Sequence, residues 1–208
     1  MLPPTHTALT AVDLTVSEQT AAAQVLGQAF AKDPFMAHVF PDPSTRVQHL
    51  TALFLPAVRH SLHHDGIEMT ADGKALALWV PGDAVHFNPL QLIQEGAIWL
   101  PGTIGWSAFK RFYGHDMACE QTLQSHAPEN FAYLWVLGVH PEAKGQGLGK
   151  RVLRSAMEAM RRRGYSSCFL RTENPNNVGM YQHFGFQQVL TATPAVSGHQ
   201  YWLMAQDL

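Results

Sequence analysis

Residues 140–153 read HPEAKGQGLGKRVL: three glycines alternate with other residues between two lysines, and a helix-like run follows directly. Glycine has no Cβ, so such a stretch lets main chain approach whatever lies beside it. The first amides of a helix have no partner within it, and the macrodipole places partial positive charge there. A diphosphate is the natural occupant of such a place. A glycine-rich turn that only caps the helix is the alternative, and the segment alone leaves both open. Spacing excludes two other phosphate motifs. A Walker P-loop would need glycine at Lys144 and Ser or Thr at Arg151, and a dinucleotide fingerprint needs G-x-G-x-x-G, whereas Gly145, Gly147 and Gly149 give G-x-G-x-G.

The flanks make this an α/β pattern. Before the glycines, FAYLWVLGV (131–139) is a nearly continuous apolar run, as in a strand covered on both faces. Gly138 within it suggests a bulge or a close backbone approach. After them, Leu148, Val152, Leu153, Ala156, Met157 and Met160 form one helical stripe, Arg161–Arg163 complement the helix C-terminus, and Gly164 ends it. YSSCFLRT then reads as a strand, NVGMYQHF as a short helix, and GFQQVL and HQYWLMAQ as strands.

Upstream, residues 17–31 predict a helix with Ser17 as N-cap, ended by Asp33-Pro34. FMAHVF forms a short apolar turn or helix, and Ser44 opens a longer helix to about His64. GIEMT and KALALWV form a hairpin about Ala71-Asp72-Gly73. Residues 81–129, broken by Pro and Gly around helices near 89–99 and 103–124, are too few for a separate core and read as an insertion on the sheet. The expectation is a single α/β domain over residues 1–208.

With 208 residues, 46% hydrophobic and only 14% charged, the chain is globular and can bury a sizeable core. A net charge of −2 gives no electrostatic case for nucleic acid and argues against a membrane surface. No run approaches the ~20 apolar residues of a membrane helix, and MLPPTHTALTAVDL lacks a signal-peptide pattern. Cys119 and Cys168 form neither a metal spacing nor a disulfide framework, so a reducing, cytoplasmic setting is expected. Cys168 falls in a buried strand pattern and reads as inert; Cys119 is open. His60, His63 and His64 could share one helical face, but no HExxH pattern accompanies them and no metal is expected.

Lys144-Gly145-Gln146-Gly147-Leu148-Gly149 resembles the [Q/R]-x-x-G-x-[G/A] signature of the GNAT superfamily of acyl-CoA N-acyltransferases, with Lys where Gln or Arg is usual. LWVLGV before it and LRTENPNNVGMYQHFGF after it resemble that family in the same order. AFAKDPFMAHVFPD, ALWVPGD, HAPENFAYLWVLGV and YWLMA resemble its branch that includes puromycin N-acetyltransferase. The resemblance covers nearly the whole chain and is weakest over 85–125.

It implies a GNAT fold: a mixed central sheet, splayed at the acyl-CoA site and flanked by helices, with 81–129 on the acceptor side. It implies transfer of an acetyl group from acetyl-CoA to a primary amine of a small molecule, by direct attack in a ternary complex. Main-chain groups of Leu137, Gly138 and Val139 would bond the pantetheine amides. Lys144, Gly145, Gln146, Gly147, Leu148, Gly149 and Lys150 would hold the diphosphate, with Lys150 or Arg151 reaching a phosphate. Asn177 would bond the pantetheine arm, and Tyr181 would face the sulfur as catalytic acid. A core tyrosine packed beside Phe184 and Phe186 is the alternative for Tyr181.

The general base is not legible. Glu68, His115, Asp116, Glu120 and His126 are the ionisable groups considered, and a water relay is the alternative. Phe35, Met36 and the aromatic residues between Trp79 and Tyr113 are candidates for the acceptor pocket, although most read as core. A protein N-terminal or lysine acetyltransferase, and a non-catalytic acyl-CoA-binding sensor, are the competing functions. A homodimer is a fair expectation for such enzymes.

Overall fold

The computed structural model describes residues 9–10 and 14–208; the leader reading of residues 1–14 falls mostly outside them. In chain order the elements are β1 (Leu9–Thr10), α1 (Val16–Phe30), α2 (Pro34–Val39), α3 (Pro43–His63), β2 (Ile67–Met69), β3 (Ala75–Pro81), α4 (Pro89–Gln94), α5 (Leu100–Ile104), α6 (Trp106–His126), β4 (Phe131–Val139), α7 (Leu148–Arg162), β5 (Ser167–Thr172), α8 (Pro175–His183), β6 (Gln187–Ala192) and β7 (Tyr201–Asp207). The seven strands form one mixed sheet in the order β1-β2-β3-β4-β5-β7-β6. Only β4 and β5 run parallel, and the other neighbours are antiparallel.

Alternation along the central strands sorts side chains to two helical layers. Ala75, Ala77, Trp79, Ala132 and Leu134 meet the stripe of α7. That stripe carries Val152, Leu153, Ala156, Met157 and Met160, all buried. The larger of these each contribute roughly 1.5–3 kcal/mol, an upper estimate because unfolded chains are partly compact. On the other face, Leu76, Leu78 and Val136 pack against α1, α2 and α3. Beyond them, Val80, Phe131 and Tyr133 meet Cys119 and Leu123 of α6.

Several boundaries differ from the sequence reading. α1 is capped by Thr15 instead of Ser17, because Thr15 and Glu18 close a reciprocal capping box. The helix expected near 89–99 is broken: α4 ends before Gly96, which takes φ +80°, and a short 3-10 turn and α5 follow. The three histidines end α3 but do not share one exposed face: His63 is exposed, whereas His60 is buried, its Nε2 2.8 Å from the Ala84 carbonyl oxygen.

Gly138 is not the bulge. Leu78 pairs with Val136 and Trp79 with Leu134, so the extra residue is Trp135. Gly138 instead answers to close packing, since a Cβ there would lie 2.4 Å from Leu26 Cδ2. Leu26 is itself fully buried and has no free space to yield. Gly138→Ala is therefore expected to destabilise the fold by about 1–3 kcal/mol, as overpacking does. Leu26→Ala in the same chain should make the added methyl far less costly, a non-additivity that denaturant melts of the four-member cycle would measure.

Candidate active site

β4 and β5 pair only from Phe131–Ser167 to Leu134–Leu170. Past the bulge at Trp135, β4 keeps β3 on one edge and leaves its other edge open. The His140 amide donates to the Lys74 carbonyl at 2.7 Å, on the β3 side. By alternation, main-chain groups of Val136 and Gly138 also face β3, and those of Leu137 and Val139 face the open edge.

That edge forms one wall of a cleft of about 590 Å³. Leu137, Gly138 and Val139 line it, as do Lys144, Gly145, Gly147, Leu148, Gly149, Lys150, Asn177 and Tyr181. The binding and catalytic residues named from the sequence therefore meet in one place, except Gln146 and Arg151. The Gln146 amide turns back to the Ala143 carbonyl and its side chain to that of Glu142, each at 3.4 Å.

The floor at the glycine end is the N-terminus of α7. No side chain caps it, and the first amide bonded within the helix is that of Arg151, to Gly147 at 3.2 Å. Helix geometry leaves the amides of Leu148, Gly149 and Lys150 without intrahelical partners. The first turn carries no acidic residue; it carries Lys150 and Arg151, and Lys32 and Lys144 stand nearby in the cleft lining. Cations at a helix N-terminus oppose the macrodipole, so this arrangement is unfavourable unless an anion joins it.

Gly145 and Gly147 adopt φ +81° and +74°, and no heavy atom lies within 4 Å of a Cβ built on either. Their requirement is conformational before it is one of ligand access. Gly149 is the tight position, where a Cβ would lie 3.2 Å from Val139 Cγ2.

Tyr181 sits one turn from Asn177 on α8, 7% exposed, with its ring edge-on to Phe186 at 5.8 Å. Burial raises its hydroxyl pKa further above the usual phenol value, with Cys168 and Glu173 adding to it, so it stays protonated at neutral pH. It is both a core residue and a cleft residue.

None of the bases considered from the sequence lines this cleft. Glu68 bonds Ser155 of α7; His126 ends α6 exposed to solvent; Glu120 lies 2.6 Å from His86; and Asp116 is held by Arg171 at 2.8 Å. His115 belongs to a buried cluster with Cys119 and Glu173. Both cysteine thiols are pushed up to about 12 by burial, so each stays protonated while uncoordinated.

The carboxylate that does line the cleft is Asp33, with Asn174 beside it. Asp33 caps α2 by accepting from the amides of Phe35 and Met36 at 3.0 and 3.1 Å. Burial raises its pKa and the charge of Glu173 adds to that, against the lowering effect of the cap bonds. Arg46 fixes this corner, donating to the carbonyls of Phe40, Ala31 and Pro41. In sequence Asp33-Pro34 reads as the end of one helix, although Asp before Pro is equally the start of the next.

With this geometry in place, residues 93–186 match the family model described as Acetyltransferase (GNAT) family. An acetyltransferase of Agrobacterium fabrum is 30% identical over 82 residues, which span 39% of this chain and 60% of that relative's length. The C-terminal condensation domain of Ebony, in complex with beta-alanyl-dopamine, superposes with a TM-score of 0.66 at 8% identity, covering 95% of this chain and 97% of that one. The Drosophila melanogaster polyamine N-acetyltransferase, which catalyses formation of N-acetylagmatine, superposes at 0.60 with 15% identity, covering 94% and 97%. At such identities the likeness is one of fold. The fold is the GNAT fold, a mixed sheet flanked by helices, and the family model and the relative support the GNAT acetyltransferase family. No helix among the described residues is long and apolar enough to cross a membrane.

Because Gly147 lies in the left-handed region, Gly147→Ala is expected to cost about 1–2 kcal/mol of stability with no ligand present, read as a lowered Tm. The double change Lys144→Ala, Lys150→Ala should leave Tm nearly unchanged. It should weaken coenzyme A binding by roughly tenfold or more in calorimetry, with a shallower salt dependence.

Proposed function

We propose that this chain is an acyl-CoA-dependent N-acetyltransferase that moves the acetyl group of acetyl-CoA to a primary amine of a small molecule. The observation that carries this reading is the single cleft. It joins an uncapped, cation-rich helix N-terminus, an open strand edge, a protonated tyrosine and a half-buried carboxylate. Coenzyme A matches the first two in order: its diphosphate fits the amides of Leu148–Lys150, and its pantetheine amides can add to β4 as an extra strand through Leu137 and Val139. The resemblance to the puromycin N-acetyltransferase-like branch, and the polyamine acetyltransferase among proteins of the same fold, favour a small amine as acceptor. Residues 81–129 would then shape the acceptor side.

The reaction follows as direct attack. The neutral amine nitrogen adds to the thioester carbonyl carbon, and the oxyanion takes a hydrogen bond from the Val139 amide on the open edge. The C–S bond breaks as the tetrahedral centre collapses, and Tyr181 donates its proton to the departing sulfur. Asp33 takes the proton lost by the amine. Its raised pKa suits that role better than an ordinary carboxylate's, because a base works best near the operating pH.

Thiol release from acetyl-CoA across a panel of small amines tests the reading; no release with any amine, by a chain that binds acetyl-CoA, would leave only the sensor. Tyr181→Phe is expected to lower kcat while leaving coenzyme A affinity nearly unchanged, and equal turnover would remove it as the acid. Asp33→Asn keeps a carbonyl oxygen for the α2 cap but cannot accept the proton. It should lower kcat/KM by roughly 10²–10⁴-fold. In the wild type kcat/KM should fall as pH drops through the raised Asp33 pKa, and the variant should lose that acid limb. An unchanged pH profile would pass the role to a water relay.

A further inference from the structure

Behind the acceptor end of the cleft, three side chains that the reaction does not use converge. α6 sets His115 and Cys119 one turn apart on its buried face, 0% and 2% exposed, and Glu173 follows β5 with its side chain 16% exposed. His115 Nε2 lies 3.4 Å from Cys119 Sγ and 3.4 Å from Glu173 Oε1. One donor atom from each residue lies within 4.8 Å of the other two. We propose that His115, Cys119 and Glu173 form a binding site for a divalent transition-metal ion of zinc-like chemistry.

The distances suit coordination. A charge-assisted N–H···O bond closes to about 2.7–2.9 Å, and the His115–Glu173 contact at 3.4 Å stops well short of that, while the 3.4 Å contact with Cys119 Sγ fits a sulfur hydrogen bond as well as a shared ion. Zinc bonds of about 2.0–2.1 Å to nitrogen and about 2.3 Å to sulfur, at tetrahedral angles, separate ligand atoms by roughly 3.3–3.6 Å. Imidazole, thiolate and carboxylate together suit zinc or cobalt, whereas magnesium and calcium take oxygen ligands. Three protein ligands leave a fourth position for solvent.

The surroundings hold the ligands in that attitude. His115 Nδ1 lies 2.7 Å from the Ser197 hydroxyl, and the ring packs against Phe35, tilted by 38° with centroids 4.2 Å apart, so Nε2 is kept toward the other two residues. Ligating histidines are oriented in this way by a bond at their second nitrogen, and ligating carboxylates are themselves hydrogen-bonded. Arg171 supplies that bond to Glu173 at 2.7 Å while also holding Asp116 at 2.8 Å. Ionised Arg171, Asp116 and Glu173 leave one net negative charge in a largely buried setting. A divalent ion with Cys119 as its thiolate brings the group to neutrality, where an unbalanced buried charge is costly. Such an ion would tie α6 to the end of β5, next to the cleft residue Asn174.

Titration of the full chain with Co²⁺ tests the site. A thiolate-to-cobalt charge-transfer absorption should appear in the near ultraviolet and saturate at one ion per chain. Cys119→Ser should abolish it, and Ser197→Ala, which leaves all three ligands in place, should weaken cobalt affinity by roughly 10–100-fold. Circular dichroism checks that both variants are folded. Cobalt uptake without the absorption, or an absorption that survives in Cys119→Ser, overturns the site. If Cys119→Ser does not fold, Ser197→Ala decides: an unchanged affinity overturns the site, and a weakened one supports it. None of these readouts depends on acetyl transfer.

Discussion

The parallel ladder between β4 and β5 stops at Leu134–Leu170, and the cleft exists because it stops there. The bulge at Trp135 turns β4 away from β5 while β3 holds its other edge through to Val139. Main-chain groups of Leu137 and Val139 are left facing open space in an otherwise covered strand. A buried main-chain group without a partner costs about 1–3 kcal/mol, so such an edge is stable only where water or a ligand completes it. α7 keeps the opening in place. Its apolar stripe is buried against β3 and β4, which fixes its N-terminus below the open edge.

The cleft is polarised along its length. At one end stand the amides and dipole of α7 with Lys144 and Lys150; Asp33 and Asn174 line the cleft away from them, with Glu173 behind. In the proposed reaction the anionic coenzyme and the cationic amine each meet the opposite charge. The donor and acceptor roles of the side chains follow from burial: the same exclusion from water keeps Tyr181 protonated and raises Asp33. The α2 cap bonds orient the Asp33 carboxylate, and Arg46 ties together the main chain on either side of α2, which suits a positioned proton acceptor.

Local pattern carried much of this arrangement in the sequence. The apolar run 131–139, the α7 stripe and the glycine spacing predict the strand, the helix and the uncapped terminus, and these are the elements that build the glycine end of the cleft. Asn177 and Tyr181 are marked by the family resemblance, and both reach the cleft because residues four apart share a helix face. What escaped the sequence depends on distant partners. Gly138 signals close packing, but only the position of Leu26 explains it. Asp33 looks like a helix stop until α2 and β5 bring it beside Asn174. The convergence of His115, Cys119 and Glu173 joins α6 to the end of β5 across chain segments that no local spacing connects. Residues 81–129 are the least legible, since Gly96 and Gly105 divide their helices by backbone conformations that pattern does not encode.

The open edge and the bare helix end are the centre of the account, and amide hydrogen exchange reads both directly. Saturating coenzyme A is expected to slow exchange at Leu137, Leu148, Gly149 and Lys150, while Gly138, already directed at β3, changes little. Tight binding of coenzyme A that leaves those four amides exchanging as before would contradict it.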